Sequence, residues 1–522
     1  MRGKTLRISS FNFIVFLFVL VSSCQPAQEK QANSTVPDPG EFKLADVTVD
    51  ELQHMMETGQ YSAYEITKMY LDRIEDVDHS GPTLNAVIEI NPDALAIAKS
   101  LDKERANHTI RGPLHGIPIL IKDNIDTGDK MQTTAGSLAM VGNIPSKDAF
   151  IIKKLREAGA IILGKTNLTE WANFRSTEAT SGWSSRGGQT KNPYVLDLSP
   201  CGSSSGSAVA VSADLCVLAV GTETDGSIGC PSSMNGVVGI SPTTGLLSRT
   251  GIIPIAKTMD TAGPMARTVK DVAILLGAMA GEDPSDKATL GKKWGATVDY
   301  TQYLKPDGLR GKRIGIEKSM MMEKEGIGAV LQTAIAHLQS QGAIIIEVEF
   351  TGEYSMLGRE EFEVMQFEFK DGLNRYLASS NSPMRSLEDI IRYNQEHEQT
   401  MMPHFKQDLL ESAQAKGSLE SAEYKNALAK LLSMREYVDR LMADNNLDAL
   451  CGVGSGAFGP AAITGYPAIT VPMGLFQGLP YGITFFARAY EEPTLLSIAY
   501  SYEQISKNRI PPTYIPNFNS VK

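Results

Sequence analysis

"PCGSSSGSAVAVSADLCVLAVGTETDGSIGCP", residues 200–231, carries two serine-bearing glycine turns separated by a short apolar stretch. Ser203, Ser204 and Ser205 lie in the first turn and Ser227 in the second. Serines in tight turns suggest a hydrolase nucleophile. A serine hydroxyl is weak until a base takes its proton, and no histidine lies near either turn.

Outward from these turns the chain alternates strand and helix signals. "GIPILIKDN" (116–124) reads as a buried strand running into a polar turn, and "IILGKTN" (161–167) as a second one. Between them "DAFIIKKLREAGA" is a helix stopped by Gly159. Further upstream, Ser62 and Glu65 stand in capping-box spacing at the head of an amphipathic run to residue 78. Downstream, 266–281 and 325–341 read as helices and 342–350 as a strand. Residues 355–445 form a mostly helical, charged, methionine-rich excursion suited to shaping a cleft, and 461–488 return to strands and turns. This alternation predicts an α/β fold, a large mixed, mostly parallel sheet covered by helices on both faces. No repeat or later linker is visible, so residues 46–515 are expected to form a single domain.

The N-terminus is different. Arg2, Lys4 and Arg7 precede an unbroken apolar run, Phe13 to Val21, which is shorter than the roughly 20 residues of a membrane span. Residues 1–23 read as a signal peptide. Ser22 and Ser23 before Cys24 resemble a lipobox, which implies lipidation at Cys24, with 24–45 as a flexible tether. The expected location is therefore exported, as a periplasmic or cell-envelope lipoprotein that meets the membrane only through that anchor. Net charge is −11, and no lysine/arginine run follows the N-terminus, which argues against a nucleic-acid groove. Cys201, Cys216, Cys230 and Cys451 match no zinc spacing. Sequence alone does not assign pairs among them, and they are read as small buried thiols near the serine turns.

"GSSSG" (202–206) fits the G-x-S-x-G nucleophile elbow around Ser204. That motif needs a later histidine, and His337, His397 and His404 all fall in the helical excursion. The helix-like run after "GSSSGS" lacks a phosphate-loop ending, and H-E-x-x-H is absent, so no metal or cofactor is expected. A lysine base remains. Lys122 follows an apolar run, and burial lowers a lysine pKa by penalising its charged form.

Together, "GIPILIKDN", "CGSSSGSAVAV" and "GTETDGSIGCP" resemble the amidase signature family, over about residues 46–510. The resemblance implies that fold and a Ser-cisSer-Lys triad. Lys122 would be the base, Ser203 the bridging serine with a cis peptide bond, Ser227 the nucleophile, and Ser204 part of the supporting network. Backbone N–H groups of Thr224, Asp225, Gly226 and Ser227 would form the oxyanion hole. Many members read G-T/S-D-x-G-G-S-I-R-x-P, where this chain has Glu223, Asp225 and Gly229 in place of the Asp, the first Gly and the Arg. That variant is similar to the bacterial peptide amidases, which implies a small-molecule or peptide amide as substrate, with C-terminal peptide amides foremost. Asp225 is expected to point away from the oxyanion and brace the turn. The alternatives are a general aliphatic or aryl amidase with esterase activity, a tRNA-dependent amidotransferase A-type subunit, or a non-catalytic binding lipoprotein. The oligomeric state is not legible.

Overall fold

Every residue of Pro118–Lys122, Ile161–Thr166 and Leu218–Glu223 is buried, so both faces of these strands are covered. They belong to a computed structural model that describes residues 42–291, 299–322 and 325–521. The expected signal peptide, Cys24 and the tether as far as residue 41 lie outside the described residues. The packed chain starts slightly earlier than the expected residue 46: Leu44 is fully buried, and Phe42 packs edge-on against Tyr70 under Arg73.

In chain order the strands are β1 (Val87–Ile90), β2 (Pro118–Lys122), β3 (Ile161–Thr166), β4 (Trp183–Ser184), β5 (Gly188–Gln189), β6 (Leu218–Glu223), β7 (Val238–Ser241), β8 (Thr261–Ala266), β9 (Arg313–Glu317), β10 (Ile344–Val348), β11 (Ala449–Val453), β12 (Ala468–Phe476) and β13 (Leu479–Phe486). β4 and β5 pair only with each other. The other strands form one 11-stranded mixed sheet in the order β1-β3-β2-β6-β8-β7-β12-β13-β11-β9-β10. Parallel pairing is confined to two runs, β3-β2-β6 and β11-β9-β10. The centre and the β1 edge pair antiparallel.

The helices follow the sequence signals. Ser62 and Glu65 close a capping box on Ala63–Arg73, and the chain continues as a wider turn to His79. Phe150–Glu157 ends before Gly159, whose φ of 83° suits glycine. Residues 355–445 are mostly helical, the longest helices being Gly358–Ser379 and Ala422–Asp444. The stretch 461–488 opens on the end of a helix, Ser455–Thr464, before its two strands.

The parallel run β3-β2-β6 positions Lys122 and the turn carrying Ser227. Parallel neighbours end on the same edge of a sheet, and α/β proteins bind ligands in the crevice outside those carboxyl ends. Lys122 is the last residue of β2, and the turn carrying Ser227 follows β6. The helix Ser205–Ser212, buried at every residue, packs on β6, β8 and β2 and brings the first serine turn to the same edge.

Candidate active site

Lys122 has no solvent exposure. Its Nζ lies 2.8 Å from Ser203 Oγ, 3.0 Å from Ser204 Oγ, 2.8 Å from Thr222 Oγ1 and 3.2 Å from the Thr222 carbonyl. Burial pulls its pKa down to about 7, against the opposite pull of Glu223 and Asp260. At neutral pH much of Lys122 is therefore neutral, with a lone pair to accept a hydroxyl proton.

Ser203 sits on a cis Gly202–Ser203 peptide bond, and its carbonyl accepts the Thr169 N–H at 3.1 Å. Ser204 links the two turns. Its hydroxyl donates to the Thr222 carbonyl and accepts the Thr222 N–H, while its own N–H donates to the Ser227 carbonyl at 3.1 Å. Ser227 is 7 % exposed. The cluster thus joins Lys122, Ser203 and Ser204 through side chains, and Ser227 through its carbonyl.

The second turn has an unusual distribution of hydrogen bonds. The Glu223 carboxylate accepts from the N–H groups of Ile228 and Gly229, and the Gly226 carbonyl accepts from Cys230. Among the described residues, nothing accepts from the N–H groups of Asp225, Gly226 or Ser227. Buried backbone donors normally find partners, so three consecutive free donors mark a place where an acceptor can dock. Gly226 has φ 73°, which lets the chain make this turn without Cβ strain. Thr224 is tied sideways, its hydroxyl donating to Asp260 at 2.6 Å. A Cβ on Gly229 would come within 2.5 Å of the Phe458 ring, so the absence of a side chain at this position lets Phe458 cover the turn.

The Asp225 side chain is tied to groups from outside the turn. Its carboxylate accepts from the Tyr354 hydroxyl at 3.2 Å and meets Glu361, and burial raises its pKa. His115 stands apart from the serine cluster, its ring held by the Leu101 carbonyl and the Arg111 N–H. A cleft of about 800 Å³ opens beside the cluster, lined by Asn124, Thr222, Thr224, Arg249, Asp260 and Tyr376 among others.

The cysteines depart from the expected set of buried thiols. Cys201 and Cys230 form a disulfide, with Cα atoms 6.0 Å apart. Cys216 and Cys451 are free and buried. The short helix Gly229–Met234, which starts two residues after Ser227, carries Cys230 back onto the first turn, a proximity that spacing does not reveal. The sequence motifs give no sign of the roles of Thr222, Asp260, Tyr354 and Glu361 either. Thr222 lies within the quoted motif, but its contact with Lys122 depends on the pairing of β2 with β6.

Known proteins are similar to this chain in both sequence and fold. The amidase family model matches residues 65–453. A probable amidase of Arabidopsis thaliana is 41% identical, over 98% of this chain and 99% of its own length. The crystal structure of the peptide amidase from Stenotrophomonas maltophilia superposes with a TM-score of 0.88 at 46% identity, covering 91% of this chain and 100% of that one. The A-type subunit of the glutamyl-tRNA(Gln) amidotransferase of Thermoanaerobacter pseudethanolicus is 35% identical over 91% of this chain and 99% of its own. On this sequence and fold, the chain belongs to the amidase signature family and is a hydrolase acting on amide bonds.

Proposed function

We propose that the protein hydrolyses carboxylic amides through Ser227, Ser203 and Lys122, with C-terminal amides of peptides as its substrates. Neutral Lys122 takes a proton from Ser203 as Ser203 takes one from Ser227, and Ser227 Oγ attacks the amide carbonyl. The oxyanion sits on the turn from Thr224 to Ser227, a role that the free N–H groups of Asp225, Gly226 and Ser227 support. Each such donor is worth about 3 kcal/mol in other acyl-transfer enzymes. The departing nitrogen receives the proton back from Lys122 through Ser203 and leaves as ammonia. Water then attacks the acyl-enzyme along the same path and releases the carboxylic acid.

The observation that carries the reading is the buried Lys122 amine 2.8 Å from Ser203 Oγ, with a pKa drawn down to about 7. The peptide-amide preference is supported by the Stenotrophomonas maltophilia neighbour and by the T-E-T-D-G-S form of the nucleophile turn. Ammonia release measured across peptide amides, free amino-acid amides, aliphatic amides and aryl amides tests it. Peptide amides should give the highest kcat/KM, and Ser227→Ala should remove turnover and labelling by a fluorophosphonate. A preference for small aliphatic or aryl amides would favour the general amidase instead. The amidotransferase relative supports a second reading, in which the chain draws ammonia from glutamine. Glutamine as the best amide donor would select it.

A further inference from the structure

Asp225 occupies a position where the common motif has glycine, and it brings a carboxyl group into a turn proposed to bind an oxyanion. A negative charge there opposes the developing charge of the substrate, so its surroundings matter. Tyr354, from the helix Thr351–Ser355, directs its single hydroxyl proton to Asp225 Oδ2 at 3.2 Å. Glu361, from the helix Gly358–Ser379, is 5 % exposed and lies in hydrogen-bond contact with the same carboxyl group.

Glu361 Oε1 is buried and receives no donor. A carboxylate only accepts hydrogen bonds, and Asp225 as a carboxylate has no proton to offer. Two carboxyl groups in contact repel each other as anions and attract when one proton lies between them. Among the described residues, the titratable groups facing Glu361 are Asp225 and Tyr354, and neither is cationic. Within the turn, Glu223 is spent on the Ile228 and Gly229 N–H groups. The covering helix Ser455–Thr464 carries no titratable side chain.

We propose that Asp225 and Glu361 hold one proton between them, with Glu361 as donor, and that this bond keeps the Asp225 charge turned away from the free N–H groups of the nucleophile turn. Glu361 is thus a positioning residue contributed by the helical excursion, acting through Asp225, and the inference rests on Ser227 being the nucleophile. Burial and the neighbouring Asp225 hold the Glu361 carboxyl well above the usual carboxylate range, in keeping with a proton retained at neutral pH. The burial of Tyr354 beside both acids raises its hydroxyl pKa further still, so Tyr354 does not lose its proton first.

The pair has a distinct signature in alkali. When the shared proton leaves, two charges stand beside the oxyanion, and turnover falls. The effect of one added unit charge at this range is on the order of ten-fold. In Glu361→Gln and in Asp225→Asn only one ionisable carboxyl remains, so the doubly charged state cannot form. The test is kcat for ammonia release from a peptide amide, from neutral to alkaline pH, each enzyme normalised to its own maximum. The expected result is an alkaline limb in the wild-type enzyme that is absent from Glu361→Gln. Asp225→Asn gives the same reading should the glutamine variant fail to fold. A wild-type alkaline limb that persists in either folded variant overturns the proposal, as does a wild-type enzyme with no limb. Ser227→Ala run in parallel separates the two levels. If it retains turnover, the nucleophile assignment falls and this inference with it; if it is inactive, the limb alone decides.

Discussion

Lys122 can act as a base only when it is neutral, and burial sets the pH at which that happens. Its folded pKa of about 7 lies far below the usual lysine range, so the amine loses its proton around neutrality. As pH falls through that value the base is protonated and kcat/KM should fall with it. Lys122→Ala should cost about 10²–10⁴-fold in kcat/KM, the usual range for a general base. Ser203→Ala should be similarly severe, and the double variant little worse than the poorer single, because both belong to the proposed relay. A pH profile of kcat/KM checks the assignment. His115, whose ring serves Leu101 and Arg111, should leave the acid limb intact when changed to alanine. Loss of the limb in His115→Ala, with its retention in Lys122→Ala, would reverse the roles.

At the level of elements, the site depends on two turns held in register. The Cys201–Cys230 disulfide joins a residue two before Ser203 to one three after Ser227. Polar ties run alongside it. Asn235 Nδ2 donates to the carbonyls of Pro200 and Pro231, and the Ser204 N–H donates to the Ser227 carbonyl. With a separation of 29 residues, chain-entropy reasoning gives the disulfide about 3.6 kcal/mol of stability. Cys230→Ser, or reduction by dithiothreitol, should therefore lower the melting temperature by several degrees while the polar ties preserve the fold. Turnover should fall as well, since small misplacements of catalytic groups are costly. Calorimetry and kcat measured before and after reoxidation test this, and unchanged values in the reduced protein would show that the bond is dispensable.

For the whole molecule, the expectation to be tested is lipidation at Cys24. If Cys24 carries a lipid, Cys24→Ser should move the protein from the membrane fraction to the soluble fraction without changing the kcat of purified enzyme. Fractionation followed by activity assay decides, and undiminished membrane association would rule out Cys24 lipidation as the anchor. The α/β alternation, the strands β2, β3 and β10 and several helices are legible in the sequence, because they rest on local periodicity and on caps such as Ser62–Glu65, whereas β1, β6–β9 and β11 carry no comparable local signal. The two serine turns and Lys122 are legible because a short motif keeps its residue types in order along the chain. The disulfide, the grip of Thr222 on Lys122 and the meeting of Asp225 with Glu361 are not. Glu361 lies 136 residues beyond Asp225, and only the packing of the helical excursion over the β6 turn joins them. The order of residues along the chain thus settles which chemistry this protein carries. Packing in three dimensions selects the partners that tune it, because a hydrogen bond or a buried charge depends on distance in space and leaves no periodic trace in the chain.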